Sequence, residues 1–347
     1  MEQRLTKRWY SDDSGPSLLQ PLSWLYGAVV RLRRNAFEQG WLSTHRVDKP
    51  VIVVGNLTVG GTGKTPMVIW LARQLAGRGL KVGIVSRGYG SQGQEAPRLV
   101  EATSGWQAVG DEPLLLSRRT GCATMVGRDR VAAARALVER QVDLIISDDG
   151  LQHLRLARDC EIVVIDGARG FGNQRMLPAG PLREPVSRAG KADFLVVNGV
   201  GEHSSLTRVG IPIARAAQMT LLPGAAMRVD GRESPRLLED FQGRPVHAVA
   251  GIGNPARFFR DLRARGLEVI EHPFPDHHPF TRAELSFADE LPVLMTEKDA
   301  VKCTVGADPR WWYIPTEAVF AEAQARELID GVLRKIGPLK SLTEVRS

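Results

Sequence analysis

The apolar positions fall into two rhythms. Within residues 17–42, Leu22, Leu25, Tyr26, Val29 and Leu32 recur at helical spacing, and Pro21 suits a first helical turn. Arg31, Arg33 and Arg34 follow the apolar stretch, and Trp24 and Trp41 flank it. Such a segment can lie in a membrane interface or pack on its own domain; the spacing leaves both readings open. From residue 50 the rhythm changes to short, continuous apolar runs at 50–56, 81–86, 142–147, 161–166 and 194–198. Helical patterns at 66–78 and 128–140 fall between them. Apolar strands interleaved with helices predict an α/β fold, with a mostly parallel sheet covered by helices on both faces.

After about residue 205 the pattern weakens. Residues 213–235 hold short mixed stretches around Pro223-Gly224 and Asp230-Gly231, which read as a small hairpin linker. A second, smaller α/β unit follows, with strands predicted at 246–251, 292–296 and 312–314 and a last helix over 318–336. The expected divisions are residues 1–45 for the amphipathic start, 46–212 for the first domain, 213–240 for the β-hairpin linker and 241–347 for the smaller domain.

Composition narrows the function. At 347 residues and 43% hydrophobic, the chain can bury a sizeable core. The net charge of +7 suits nucleic acid, an anionic membrane or a phosphorylated substrate. Aromatics are only 6%, and no run of five Lys/Arg occurs, which speaks against nucleic acid. Cys122, Cys160 and Cys303 are odd in number and form no CxxC, as expected of buried thiols in a reducing compartment. Met1–Ser14 is polar with no signal-peptide core, and no apolar run is long enough to span a bilayer.

The first apolar run leads into Thr58-Val59-Gly60-Gly61-Thr62-Gly63-Lys64-Thr65 and then a helix. Strand, glycine loop and helix in that order make a P-loop, expected to bind ATP. Backbone N–H groups and the helix N-terminus face phosphate oxygens, Lys64 reaches the terminal phosphates, and Thr65 offers its hydroxyl to Mg²⁺. The usual pattern has glycine where this chain has Thr58; Gly60 and Gly61 can supply the freedom instead. Dimerising ATPase switches with related loops carry a lysine where this chain has Val59, which disfavours that class.

Asp148-Asp149 ends the run at 142–147, where a metal-holding carboxylate belongs. Either acid can be the Mg²⁺ ligand, and Asp-Asp-Gly is also good turn chemistry. His153 follows, with a structural role equally open. Arg87, Arg128 and Arg183 are cationic candidates for phosphate; Arg87 follows a strand end, and Arg183 lies in a Pro/Gly-rich loop, 177–185, long enough for a lid. Asp111-Glu112-Pro113 reads as a helix start with acids in its first turn.

Taken together, Val54–Pro66, Ser86-Arg87-Gly88-Tyr89-Gly90, Gly110-Asp111-Glu112-Pro113, Asp148–His153, Gly180–Pro185, Phe274–His278 and Thr296–Lys302 closely resemble the tetraacyldisaccharide 4'-kinase family of Gram-negative lipid A biosynthesis. The match spans about residues 17 to 315. It implies an ATP- and Mg²⁺-dependent kinase that phosphorylates the 4'-hydroxyl of a tetraacylated glucosamine disaccharide 1-phosphate. It also implies a peripheral protein on the cytoplasmic face of the inner membrane, with residues 17–42 touching lipid. By this resemblance Asp111 is the catalytic base and His277 its partner across an interdomain cleft. A kinase for a soluble small molecule and a nucleotide-dependent switch are the alternatives.

Overall fold

The computed structural model describes residues 8–10, 17–90, 96–200, 206, 216–304 and 306–338. Most of the polar stretch Met1–Ser14 and the start of the expected linker, 213–215, lie outside them. Two sheets organise the chain. The first contains β1 (Val51–Gly55), β2 (Val82–Ser86), β3 (Arg98–Leu99), β4 (Ala123–Val126), β5 (Leu144–Asp148), β6 (Cys160–Asp166), β7 (Phe194–Asn198) and β8 (Ala217–Pro223). The second contains β9 (Met227–Arg228), β10 (Val246–Ala250), β11 (Val269–Pro273), β12 (Val293–Thr296) and β13 (Trp311–Ile314). A last strand, β14 (Thr316–Phe320), returns to the first sheet, giving the order β14-β8-β7-β6-β1-β5-β2-β4-β3.

The strands at the centre are parallel, as their uninterrupted apolar runs require. β1 lies between β5 and β6, with Val54 opposite Asp148 on one side and Ile162 on the other. Its residues alternate between two cores. Ile52 and Val54 face α2 (Lys64–Ala76) and α8 (Glu322–Ile336), whereas Val51 and Val53 face α5 (Arg130–Glu139). The helix α2 forms because Met67, Val68, Leu71, Ala72 and Leu75 make one buried stripe, and Pro66 costs nothing in its first turn. Asp129 caps α5 by accepting from the Val131 and Ala132 N–H groups. Further helices are α1 (Gln20–Glu38), α3 (Trp106–Val109), α4 (Asp111–Thr120), α6 (Pro255–Arg263) and α7 (Glu297–Ala300).

The expected linker is two-stranded in a wider sense. Within it Ala226 and Arg236 exchange both backbone hydrogen bonds, at 2.8 and 2.9 Å, around the Asp230-Gly231 turn, but the strand before them takes its partner from further along the chain. β8 joins the first sheet beside β7 and pairs antiparallel with β14, which lies beyond the whole second unit; β9 joins the second sheet against β13. The chain therefore crosses between units twice, side by side, and the Gly224 N–H donates to the Pro315 carbonyl at 2.8 Å where the crossings meet. Turn dipeptides reported that the chain bends there, not which distant strand each arm pairs with. Likewise the last helix, expected in the second unit, begins only at Glu322 and packs Leu328, Ile329 and Val332 into the core of the first sheet.

Gly331 shows how close that docking is: a Cβ there would lie 2.7 Å from the Phe194 ring at the start of β7. Gly331→Val is expected to destabilise the protein by about 1–3 kcal/mol through overpacking, despite the better helix propensity. Denaturant unfolding reads this out; an unchanged midpoint would contradict the packing of α8 on the first sheet.

Candidate active site

The functional side chains gather at the C-terminal ends of the strands, where an open α/β sheet forms its crevice. β1 delivers the glycine loop there, and α2 starts at Lys64 immediately after Gly63, which caps the helix in the left-handed region at φ +96°. A Cβ at Gly63 would lie 2.8 Å from Asn198 Nδ2, at the end of β7, so the position admits only glycine. That same Asn198 amide donates to the Thr62 carbonyl at 3.1 Å and fixes the loop. Thr58, the departure from the usual glycine, is buried and bridges antiparallel to Leu182. The Val59 N–H donates to the Pro181 carbonyl at 2.9 Å, and the Arg183 N–H donates to the Leu57 carbonyl at 2.7 Å. The loop over 177–185, read as long enough for a lid, is thus stitched to the phosphate loop as a fixed wall.

Lys64 Nζ donates to Asn56 Oδ1 at 3.1 Å and lies 3.8 Å from Asp149. Arg183 holds Asp149 in a two-pronged grip, Nη1 to Oδ2 at 3.0 Å and Nη2 to Oδ1 at 2.9 Å, and also donates to Asn56. Burial pushes the Asp149 pKa up, but the charges of Lys64 and Arg183 outweigh it and hold the carboxyl well below the usual range. Asp148 behaves oppositely: burial, then the nearby charges of Glu112 and Asp149, push it up to about 7. Ser86 Oγ donates to its carboxylate at 3.1 Å. Below it, Arg130 is buried and donates to the Asp148 carbonyl at 2.8 Å, the Val85 carbonyl at 3.0 Å and Ser147 Oγ at 3.3 Å. Burial with the Arg130 and Arg158 charges lowers His153 to about 4, so it is neutral at physiological pH.

Across the crevice, the second unit contributes His277. Its Nδ1 lies 2.9 Å from Asp111 Oδ2 and 3.1 Å from Oδ1, joining residues far apart in the chain. Asp111 starts α4 after Gly110, whose φ of +91° and close approach to the Tyr89 carbonyl exclude a side chain. His277 itself sits at φ +61°, an unfavourable backbone for a residue with a Cβ. The strain is held by its N–H, which donates to the Gly251 carbonyl at 3.2 Å and Asp276 Oδ1 at 3.1 Å. Gly251 is anchored in turn by Asp299 Oδ2, which accepts from its N–H at 2.9 Å and from Thr296 Oγ1 at 2.6 Å. Lys298 completes the group, donating to Glu112 at 3.0 Å and Asp276 at 3.2 Å, with its Nζ 3.4 Å from His277 Nε2.

Burial tends to raise Asp111, yet the His277 hydrogen bond and the Lys298 charge leave its pKa lowered. For His277, burial lowers and the Asp111 hydrogen bond raises, with a net rise. The charged pair is therefore lost on the acid side as pH falls through the lowered Asp111 pKa. It is lost on the alkaline side as pH rises through the raised His277 pKa. The second unit also reaches the phosphate loop: a Cβ on Gly253 would lie 3.6 Å from the Gly61 nitrogen.

Not every candidate converges. Arg87 is exposed at the end of β2, and Arg128 is exposed before α5; the buried cation of that segment is Arg130. The sequence reading missed Arg130, because an arginine in a first helical turn looks like any surface arginine. It also passed over Asn56, which receives both Lys64 and Arg183. Buried Asn56 Nδ2, Thr62 Oγ1 and Arg183 Nε lack protein partners among the described residues, and all three are groups of the phosphate-loop region. No group of three or more His, Cys, Asp or Glu among the described residues is arranged to hold a metal alone. Mg²⁺ asks for less, since it is usually held by one or two carboxylates plus phosphates and water.

The model of the Tetraacyldisaccharide-1-P 4'-kinase family matches residues 16–334. Tetraacyldisaccharide 4'-kinase from Alkalilimnicola ehrlichii is 50% identical over 321 residues, 92% of this chain and 93% of that protein. The enzyme of the same description from Xanthomonas campestris is 48% identical, covering 93% of each. Among solved structures, LpxK from Aquifex aeolicus in complex with ATP superposes with a TM-score of 0.74 at 26% identity, covering 92% of this chain and 98% of that one. With the family model matched over residues 16–334 and relatives about half identical over more than nine-tenths of its length, the chain belongs to the tetraacyldisaccharide-1-P 4'-kinase family.

Proposed function

We propose that this kinase moves the γ-phosphate of ATP to the 4'-hydroxyl of a tetraacylated glucosamine disaccharide 1-phosphate, with Asp111 as the proton acceptor. The observation that carries the reading is the Asp111–His277 pair, which joins the unit that holds the phosphate loop to the second unit. A sugar hydroxyl is a weak nucleophile, and phosphoryl transfer depends chiefly on positioning and charge neutralisation. The backbone of residues 58–63 and the start of α2 cradle the phosphates, while Lys64 and Arg183 neutralise their charge. As the hydroxyl oxygen bonds to phosphorus, its O–H bond breaks, the proton passes to the Asp111 carboxylate, and ADP leaves. His277 Nδ1 orients that carboxylate and keeps it ionised, and Lys298 holds His277 in place. Arg87, exposed at the crevice rim, is available to a phosphate of the acceptor.

The residues suit Mg²⁺. Thr65 and Asp148 or Asp149 would hold it, and an acid raised to about 7 by burial and then by neighbouring negative charge is one that a dication would keep ionised. Bound there, Mg²⁺ would neutralise phosphate charge.

Residues 17–42 support docking on the cytoplasmic face of the inner membrane. α1 exposes Trp24 (68%), Leu25 (63%) and Leu32 (63%), and Trp41 follows at 75%. Its apolar stripe points outward, the reverse of a helix that serves only its own core. No helix among the described residues is long and apolar enough to cross a bilayer.

Incubation with Mg²⁺, labelled ATP and the acceptor lipid in detergent is expected to place label on the lipid. Asp111→Ala should lower kcat by roughly 10²–10⁴-fold, while ATP binding stays within a few-fold; undiminished turnover would remove Asp111 from the proton-accepting role. Leu25→Ser/Leu32→Ser should shift the protein from vesicles to supernatant on co-sedimentation, and unchanged partition would contradict the docking of α1.

A further inference from the structure

The inner face of α1 is as informative as its outer one. Ser23 and Gly27 are buried, and with Tyr26 and Arg34 they meet the first unit, while Leu22, Leu25, Val29 and Leu32 are exposed. Each polar group on the inner face grips a loop of the active site. Ser23 Oγ donates to the Met176 carbonyl at 2.7 Å, and Gly27 faces the Met176 side chain. Tyr26 Oη donates to the Arg183 carbonyl at 3.2 Å. Arg34 Nη1 donates to Glu184 Oε2 at 2.8 Å. The adjacent Arg33 donates to the Gln152 carbonyl at 3.1 Å.

These contacts end on the residues that set the phosphate clamp. Arg183 is fixed through both of its peptide groups: its N–H by Leu57 of the phosphate loop, its carbonyl by Tyr26 of α1. Its guanidinium then grips Asp149. Glu184, the next residue, is buried and takes Arg34 on one oxygen and Gln152 Nε2 on the other at 2.9 Å; that same amide donates to the Asn56 carbonyl at 3.3 Å. Arg188 Nε lies 3.7 Å from Glu184, beyond a hydrogen bond. A buried carboxylate placed between two such donors has little freedom to shift.

We infer that α1 is a positioning element of the active site. Through Tyr26 and Arg34 it sets the place of Arg183 and hence of Asp149, so one helix carries lipid contact on its outer face and the phosphate clamp on its inner face. Tyr26 and Arg34 are positioning residues, acting through Arg183 and Glu184 without touching substrate. The inference rests on the kinase reading for its catalytic consequence, not for its structural one.

The test uses the full-length enzyme with Tyr26→Phe/Arg34→Met, which leaves the apolar stripe intact. The expected result is a fall in kcat on the order of 10-fold, the scale set by small misplacements of a clamp. KM for the lipid and co-sedimentation with phosphatidylethanolamine/phosphatidylglycerol vesicles should stay within about twofold, since neither depends on a positioning group. Tyr26→Phe/Arg34→Lys, which keeps the charge opposite Glu184, should recover part of the lost kcat. Hydrogen exchange supplies a readout independent of the acceptor: amides near 149–152 and 183–184 should exchange faster in the Met variant while those of α1 do not. Wild-type kcat with unchanged exchange at those amides would overturn the inference. So would kcat falling in proportion to vesicle binding with no recovery by lysine. Wild-type enzyme that labels no lipid would refute the kinase reading instead, and exchange would still decide whether α1 positions the clamp.

Discussion

Asp148, Asp149 and Asp111 bring three carboxylates to one end of the first sheet, Asp148 and Asp111 buried and Asp149 half-buried, and that concentration of negative charge is tolerable only with cations delivered to it. They come from separate parts of the chain: Lys64 from the start of α2, Arg130 from α5, Arg183 from the wall of the phosphate loop and Lys298 from α7. The compensation is uneven. Asp149 is held ionised by two cations, whereas Asp148 is raised to about 7, which leaves a local demand for more positive charge.

The second requirement is that the proposed proton acceptor and its partner come from two units. Asp111 belongs to α4 of the first and His277 to the loop between β11 and β12 of the second. Their contact depends on the side-by-side crossings at Gly224 and Pro315, and on the ion pairs that join Arg119 of α4 to Glu297 of α7 and Glu317 of β14. Asp299 transmits the order of the second unit to the site by fixing Gly251, which receives the His277 N–H. Movement of one unit against the other therefore changes the pair before it changes either sheet.

Much of this was legible from residues. β1, β5, β6 and β7 are buried on both faces, and a strand in that setting has no choice but to read as a continuous apolar run. The phosphate loop was legible because its glycines answer local demands, such as φ +96° at Gly63 beside Asn198. What escaped was non-local. Ala217–Pro223 and Thr316–Phe320 are half-buried strands of mixed composition at one end of the first sheet, and only the fold tells them that they are partners. Asp111 and His277 were found through family resemblance alone, because nothing in either local pattern indicates a partner in another unit. Arg130 escaped because burial, not residue type, distinguishes it from Arg128.

The central claim is that Asp111 and His277 form a charged pair across the crevice, and histidine titration by NMR tests it most directly. With imidazole signals assigned, the account predicts that His277 titrates above the ordinary histidine value in the wild-type enzyme. It should titrate lower in Asp111→Asn, since removing the carboxylate removes the principal influence raising it and leaves burial and Lys298, which lower it, against a smaller rise from Asp276. A His277 pKa at the ordinary value in the wild type, unmoved by Asp111→Asn, would contradict the pairing and with it the assignment of Asp111 as an oriented proton acceptor.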